Sequence, residues 1–567
     1  MRSRHHLPLI GAILLGLVAT GCSSASDATS STVRQASPKR AVGLPKLADL
    51  PAHAYLSGPL HANGGQYMTD DLGRTVQLHG VNAVYKLAPY RMTVTPGKVN
   101  TLNDDDAIRI ARLGFNVVRL GVLWEGIEPG VGGPNQPGVC TPGVGHDPHM
   151  WNATVAARYL DEVAKVVAAL GRHHVYALID MHQDVWNQLF SGEGMPQWAT
   201  CTDANPITIL PGRWSANYSN PAVVSSFNHL FDNDVIGNLQ GEYQRSWTAI
   251  ARRFATNPWI VGYDPLNEPA DYAPLHLHHR WYAPRLSCLY GGSSGAIREI
   301  GVDAPLPCPV GSPSTGVIQA IQRVDHEHLV FPEVDNASHG RQPYLLGRIN
   351  LPRIVMNFHD YCAQRSGVTG NPTDLEACSS AELATMVHRT QERDQMGSKV
   401  TPAGPAMLMT EFGATDSHSL AEMLAMDTTT LGLGWMWWSW RYYNDPTGSS
   451  AEALINSEQQ LSPSAAAIST TYPVAIAGTP LSSVLDPVDG EYALTYLPNP
   501  KVKAPTTIYV SSNTYRAGYC TVVVGGTITS HPGSGLLTVN NAPGADVTVI
   551  RITPHACVGK VSRPAKV

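Results

Sequence analysis

Two stretches decide how this chain folds: Ile260-Val261-Gly262-Tyr263-Asp264-Pro265-Leu266-Asn267-Glu268-Pro269 and Ala406-Met407-Leu408-Met409-Thr410-Glu411-Phe412-Gly413. Each is an apolar run of strand character that delivers a glutamate near its carboxyl end and is then stopped by a Pro or a Gly. The glutamates stand far apart in the chain and meet only through the fold. Two carboxyls at strand ends are a minimal kit for cutting a glycosidic bond: one is kept protonated for the leaving oxygen, the other ionised to attack or support the anomeric carbon.

Outward from these stretches the same texture repeats. Apolar runs at 76–82, 117–122, 175–181, 260–267, 329–335, 354–361, 407–412 and 434–440 alternate with segments such as 104–113, 153–171 and 238–254, where apolar residues recur every three or four positions. Eight strand-plus-helix units predict an α/β fold, a (β/α)8 TIM barrel, with its chemistry at the carboxyl ends of the strands. Those ends do carry polar and aromatic residues: Asn82, Arg119, Asp180 with His182, Asn267 with Glu268, Glu333, His359 with Tyr361, Glu411, and the tryptophans around Trp438. From about residue 475 short alternating runs (492–496, 507–511, 521–524, 547–552) separated by Pro, Gly and Asn predict a small C-terminal all-β sandwich. It offers no catalytic constellation and reads as a structural partner for the barrel or an accessory surface.

The chain has 567 residues, 43% hydrophobic and 15% charged, enough for one large domain and a smaller one. A net charge of −6 with 39 Lys and Arg argues against nucleic acid as a partner. The first residues, Met-Arg-Ser-Arg-His-His, are a basic start, and 7–19 is an apolar run too short to span a membrane. The run ends Val18-Ala19-Thr20-Gly21-Cys22, similar to a bacterial lipobox, so Cys22 is a candidate lipidation site; a simple secretory signal is the alternative. The expected organisation is a lipoprotein-type signal over 1–22, a flexible Ser/Ala/Thr/Pro tether over 23–55, a catalytic barrel over 56–474 and the sandwich over 475–567. Localisation follows: export, as a cell-envelope lipoprotein or a secreted protein.

Of nine cysteines, eight remain after Cys22, an even number that points to disulfides in an exported chain. Closeness in sequence suggests Cys288 with Cys308, Cys362 with Cys378 and Cys520 with Cys557, leaving Cys140 with Cys201. No C-x-x-C pair is present to suggest zinc, and no metal or cofactor is expected.

The segment 71–82, Asp-Leu-Gly-Arg-Thr-Val-Gln-Leu-His-Gly-Val-Asn, followed by Arg119, His182, Asn267-Glu268, His359-Asp360-Tyr361, Glu411 and Trp438, resembles glycoside hydrolase family 5 over about residues 60–445. Within that family, Asn82-Ala83-Val84-Tyr85-Lys86, Asp180-Met181-His182-Gln183-Asp184 and Thr410-Glu411-Phe412-Gly413, with the trailing sandwich, are most similar to the endoglycoceramidase branch, whose members release intact oligosaccharide from ceramide. The resemblance implies double displacement, with Glu268 as acid/base and Glu411 as nucleophile. It implies that Arg119 and Tyr361 hold Glu411 and that His359 contacts the sugar or positions Glu268. His182 and Asn267 would bind the sugar over Trp438 as its floor; strand alternation puts Trp438 on one face with Met436 and Trp440, and Trp437 is the alternative. Lys86 and Asp184 match positions that touch glucose in endoglycoceramidases, against the plainer reading of Lys86 as a solvated rim residue.

Other residues read more plainly. Glu333 is expected to be a structural acid of the barrel or cleft, Asp104-Asp105-Asp106 a helix start, and His276, His278 and His279 surface histidines. The loop 270–308, with Leu275, Leu277, Trp281, Tyr282, Leu286, Leu289 and Tyr290, is a candidate apolar trough for a lipid aglycone, or an ordinary lid pinned by Cys288 and Cys308. The substrate is thus a glycolipid or β-linked glycan, met at a membrane surface through the substrate and a lipid anchor, by a monomer. The competing readings are an endo-β-glucanase acting on polysaccharide and a non-catalytic carbohydrate-binding lipoprotein.

Overall fold

The computed structural model describes residues 54–557, apart from 63–64, 131–150, 211–213, 234–237, 271–284, 295–296, 299–307, 335–345, 347, 363–371, 398–403 and 556. The signal, Cys22, most of the tether, Cys140, the three histidines of 276–279 and Trp281 therefore lie outside the described residues.

The parallel strands form a barrel: β1 His79–Ala83, β2 Val117–Val122, β3 Tyr176–Met181, β4 Ile260–Asp264, β5 Leu329–Val330, β6 Val355–Asp360, β7 Ala406–Gly413 and β8 Gly434–Trp438. β8 returns to β1 with Trp435 opposite His79. The seam between β5 and β6 closes through the single parallel bridges Val330–Ile354 and Glu333–Asn357. Helices lie between the strands: α1 Asp104–Arg112, α2 Ala153–Gly171, α3 Pro221–Asp232, α4 Leu239–Phe254, α5 Val317–Gln322, α6 Pro372–Gln395 and α7 His418–Leu431. The strands are apolar runs rather than alternations because both faces are covered, by helices outside and by the barrel interior within. Asp104-Asp105-Asp106 does start a helix: Asn103 caps α1 by accepting from the Asp105 and Asp106 amides, and the acids sit at the positive end of its dipole.

The sandwich comprises β9 Tyr472–Ile476, β10 Gly478–Leu485, β11 Tyr492–Pro498, β12 Thr506–Tyr509, β13 Tyr519–Val524, β14 Gly526–Ile528, β15 Leu536–Asn541 and β16 Thr548–Pro554. One sheet runs β10-β11-β16-β13. The other continues from β14-β15-β12-β9 onto an N-terminal hairpin, Met68–Thr69 with Thr75–Val76. This corrects the expected run 76–82: Val76 pairs with Ala475 in the sandwich sheet, and only from His79 does the chain enter the barrel. The reason is the turn at Gly73 (φ 77°), which folds residues 68–76 into their own hairpin.

The disulfides Cys288–Cys308, Cys362–Cys378 and Cys520–Cys557 form as expected. Cys201 is also disulfide-bonded; its expected partner, Cys140, is outside the described residues.

Candidate active site

A buried polar layer crosses the barrel just beneath its carboxyl end. Its centre is Arg119 on β2, fully buried. The guanidinium donates to Asp264 Oδ2 (2.8 and 3.0 Å), Asp180 Oδ1 (3.0 Å), Asn267 Oδ1 (2.8 Å), Asn82 Oδ1 (3.2 Å) and Glu411 Oε1 (2.5 Å). Burial alone would strip the charge from Arg119, and the carboxylates of Asp180, Asp264 and Glu411 hold it on. Asn357 on β6 donates to Asp264 at 2.9 Å, and Thr410 on β7 donates to Asn357. Burial pushes the Asp264 pKa up to about 7 against the pull of Arg119.

Above this layer three carboxyls meet one imidazole. His359 Nδ1 lies 2.9 Å from Glu268 Oε1, 3.2 Å from Glu333 Oε1 and 3.4 Å from Glu411 Oε2. By sharing Nδ1, Glu268 Oε1 and Glu411 Oε2 lie no more than about 6.3 Å apart, which admits the ~5–5.5 Å carboxyl separation of retaining glycosidases. Glu411 is held from both sides, Arg119 on Oε1 and the Tyr361 hydroxyl on Oε2 at 2.8 Å. Burial keeps His359 neutral, its pKa pushed down to about 3. Glu268 itself sits in left-handed backbone (φ 40°), a conformation that costs a residue with a side chain on the order of 1 kcal/mol or more. Gln183 donates to the carbonyls of both Asn267 and Glu268 at 2.9 Å, and Asn267 Nδ2 donates to the Gln183 carbonyl at 3.0 Å, so the strand-end turn is pinned.

The neighbouring floor is built around Trp438, the half-buried last residue of β8. Its ring stacks on His182 (centroids 5.4 Å, planes 13° apart), and Lys86 Nζ lies 4.7 Å from its centroid. Lys86 is buried, not a solvated rim residue. Its ammonium donates to Asp184 and to Thr447 Oγ1 (2.7 Å) and lies 3.1 Å from Glu193 Oε1. Burial would lower the Lys86 pKa, but Asp184 and Glu193 raise it well above its ordinary value; burial next to the Asp184 charge keeps the Glu193 pKa high. His182 Nδ1 donates to Asp180 Oδ2, 2.8 Å away. Burial would lower its pKa, and the Asp180 carboxylate overrides this and pushes it up to about 9.

The expected site residues Lys86, Arg119, His182, Asp184, Asn267, Glu268, His359, Tyr361, Glu411 and Trp438 are thus joined by the contacts above. Glu333 is a structural acid of the cleft, as expected, seated against the reacting residues on His359 and the Glu268 amide. Other expectations are corrected. Trp437, the alternative floor, is fully buried edge-on to Phe412 behind the barrel wall. Trp440 joins Trp435 and Trp437 in the outer core rather than sharing a face with Trp438, because β8 ends at Trp438 and the two-residue alternation ends with it. In the loop 270–308, the described Leu286, Leu289 and Tyr290 are buried in the core and line no open trough. Asp264, Asn357, Glu193 and Thr447 escaped the sequence reading. For Asp264 and Asn357 a signal existed: a polar side chain inside a strand buried on both faces must have a partner waiting.

Comparison with known proteins agrees with this fold. The model of a family described as cellulase (glycosyl hydrolase family 5) matches residues 70–444, and that of the glycoside hydrolase family 5 C-terminal domain matches 471–553. Endoglycoceramidase I of Rhodococcus hoagii is 28% identical over 509 residues, covering 86% of each chain. Endoglycoceramidase of Hydra vulgaris is 24% identical over 479 residues, covering 80% of each. Among solved structures, endo-glycoceramidase II from Rhodococcus sp. in a ganglioside GM3 complex superposes with a TM-score of 0.64 at 22% identity, covering 86% of this chain and 99% of that one, a likeness of fold.

Proposed function

The chain belongs to glycoside hydrolase family 5, and on that premise we propose that it is a retaining endoglycosidase that cuts the β-glycosidic bond between oligosaccharide and ceramide in glycosphingolipids. The observation that carries the reading is His359 Nδ1 seated between the Glu268 and Glu411 carboxyls, with Glu411 locked by Arg119 and Tyr361. The endoglycoceramidases that match this chain along most of its length support the lipid aglycone.

The chemistry follows from the placement. Glu411, aimed by Arg119 and Tyr361, attacks the anomeric carbon while the bond to the ceramide oxygen breaks and the Glu268 proton passes to that oxygen. In the second step the Glu268 carboxylate takes a proton from water, the water oxygen bonds to the anomeric carbon, and Glu411 leaves. Asn267, held by Arg119 and the Gln183 carbonyl, is placed for the sugar hydroxyl beside the reacting carbon. Trp438 supplies an apolar floor, with Lys86, His182 and Asp184 at its edge for the remaining hydroxyls. On this reading the protein works as a monomer at a membrane surface, exported and tethered through Cys22 and the segment that follows.

The test is to incubate the purified protein and Glu411→Gln with a glycolipid carrying fluorescent ceramide, with glucosylceramide and with a soluble β-glucan. Release of intact oligosaccharide by the native protein alone, with at least a hundredfold loss in the variant, is expected. Activity confined to the glucan would instead make it an endo-β-glucanase. Expression of Cys22→Ala beside the native chain checks the tether: the variant should move from the membrane fraction to the medium.

A further inference from the structure

Glu333 stands at the carboxyl end of the barrel seam, where its backbone bridges to Asn357 on β6. The side chain is completely buried and reaches into the catalytic cluster. Oε2 accepts the Glu268 backbone N–H at 3.1 Å, Oε1 faces His359 Nδ1 at 3.2 Å, and Oε2 lies 3.6 Å from Arg119. The Tyr290 hydroxyl, from the helical turn over 285–290, donates to the Glu333 carbonyl at 3.1 Å and fixes the residue from outside the barrel. The two groups it touches are the ones that define Glu268: the amide of a residue held at φ 40°, and the imidazole that meets the Glu268 carboxyl at 2.9 Å.

We propose that Glu333 is a positioning residue for acid/base catalysis, holding the Glu268 backbone in its left-handed conformation and the His359 ring on the Glu268 carboxyl. The inference rests on the assignment of Glu268 as the acid/base.

Geometry and charge both lead to this role. A left-handed glutamate at the end of β4 relaxes unless something over-determines it, and the bond from its amide to Glu333 does so from the adjacent strand end. Like charges gathered around one neutral imidazole disfavour ionisation of the most buried of them. The groups facing Glu333 are Glu268, Glu411, Asp264, His359 and Arg119, from β4, β7, β6 and β2. Burial, then the Asp264 charge, keeps the Glu333 carboxyl well above the usual range, against Arg119. The environment of Glu333 thus favours its neutral form, which adds no further charge beside Glu268. Nothing passes covalently through Glu333, which acts on the reaction only through Glu268 and His359.

The test separates positioning of the acid from general structural support by varying the leaving group. Proton donation matters for an aryl β-lactoside with a poor leaving group such as 4-methylphenol and little for one with 2,4-dinitrophenol. Glu333→Ala should lower kcat/KM on the poor leaving group about thirtyfold, a share of the ~10²–10⁴ of general acid catalysis, and on the dinitrophenyl substrate less than threefold. Glu333→Gln, which keeps an oxygen for the Glu268 amide and is neutral, should recover most of that loss. Glu268→Ala is the control, with a larger leaving-group dependence and rescue by azide. Equal loss on both substrates in Glu333→Ala, or no loss on either, would overturn the inference while leaving the proposed function intact. A native protein inert on both substrates would overturn the two together. Because each ratio is internal to one variant, partial misfolding lowers both rates and does not imitate the effect.

Discussion

His182 shows how a single residue is set by what surrounds it. In the sequence it is one histidine among 22, and only its place two residues beyond Asp180 marks it. In the structure the Asp180 carboxylate, itself held by Arg119, keeps it charged up to about pH 9. An unfolded histidine titrates near pH 6.5. Its folded value is raised, so its contribution to stability is fully present below about pH 6.5 and is lost as the pH rises through about 9. The melting temperature of the native protein should fall across that window, and the fall should be shallower in His182→Gln; identical slopes would show that another group carries the pH dependence. The reacting residues were legible because a glutamate that follows Asn or Thr at the end of an apolar strand faces the mouth of a barrel, where chemistry is done. The residues that tune them were less so: Glu193 and Thr447 come from loops, and only the fold brings them to Lys86.

At the scale of elements, β7 carries the nucleophile and shows what a strand must do to end in an active site. Glu411 pairs with His359 across a shift of register between β6 and β7, which places both on the cluster. Two residues on, Gly413 takes φ 87°, and a Cβ there would lie 2.4 Å from the Trp437 ring. The glycine is thus required twice, by backbone and by space. Gly413→Ala should cost about 1–3 kcal/mol of stability and lower kcat several-fold, since any relief must move either Trp437 or the chain that aims Glu411. Thermal melting and turnover measured together check it, and an unchanged kcat would show that the strain is absorbed away from Glu411. Apolar runs foretold each barrel strand because a strand covered on both faces has to be apolar. They could not give lengths: β5 was expected over 329–335, yet only Leu329–Val330 form regular pairs before the chain turns to present Glu333. They could not resolve the tryptophans either, since 435, 437 and 438 are equally apolar while only the last reaches the cavity rim.

For the whole molecule, the sandwich is the floor of the barrel. Leu78, Val117, Leu178, Val261, Leu329, Val355, Leu408 and Met436, at the amino-terminal end of the barrel interior, form one cluster with Tyr472, Val474, Ala475, Tyr509 and Leu536 of the sandwich. His79 is stacked between Trp435 of the barrel (4.4 Å) and Tyr472 of the sandwich (3.7 Å). Tyr472 donates to the Gly114 carbonyl at 2.7 Å and Tyr509 to that of Arg112 at 3.0 Å, where a Cβ on Gly114 would meet the Tyr509 ring at 2.4 Å. The N-terminal hairpin, which leads directly into β1, is itself part of a sandwich sheet. Barrel and sandwich each keep a core of their own, but the cluster between them is built from both, so neither end of that cluster stays packed if the other melts. Calorimetry should therefore show one cooperative transition for barrel and sandwich together. Tyr472→Ala should lower that single transition, by the roughly 3–5 kcal/mol of removing a large buried aromatic, and a chain ended after residue 470 should not yield a folded, active barrel. Two resolved transitions, with only one of them moved by Tyr472→Ala, would mean that the sandwich merely rests on the barrel. The site at the opposite end of the strands would then owe it nothing.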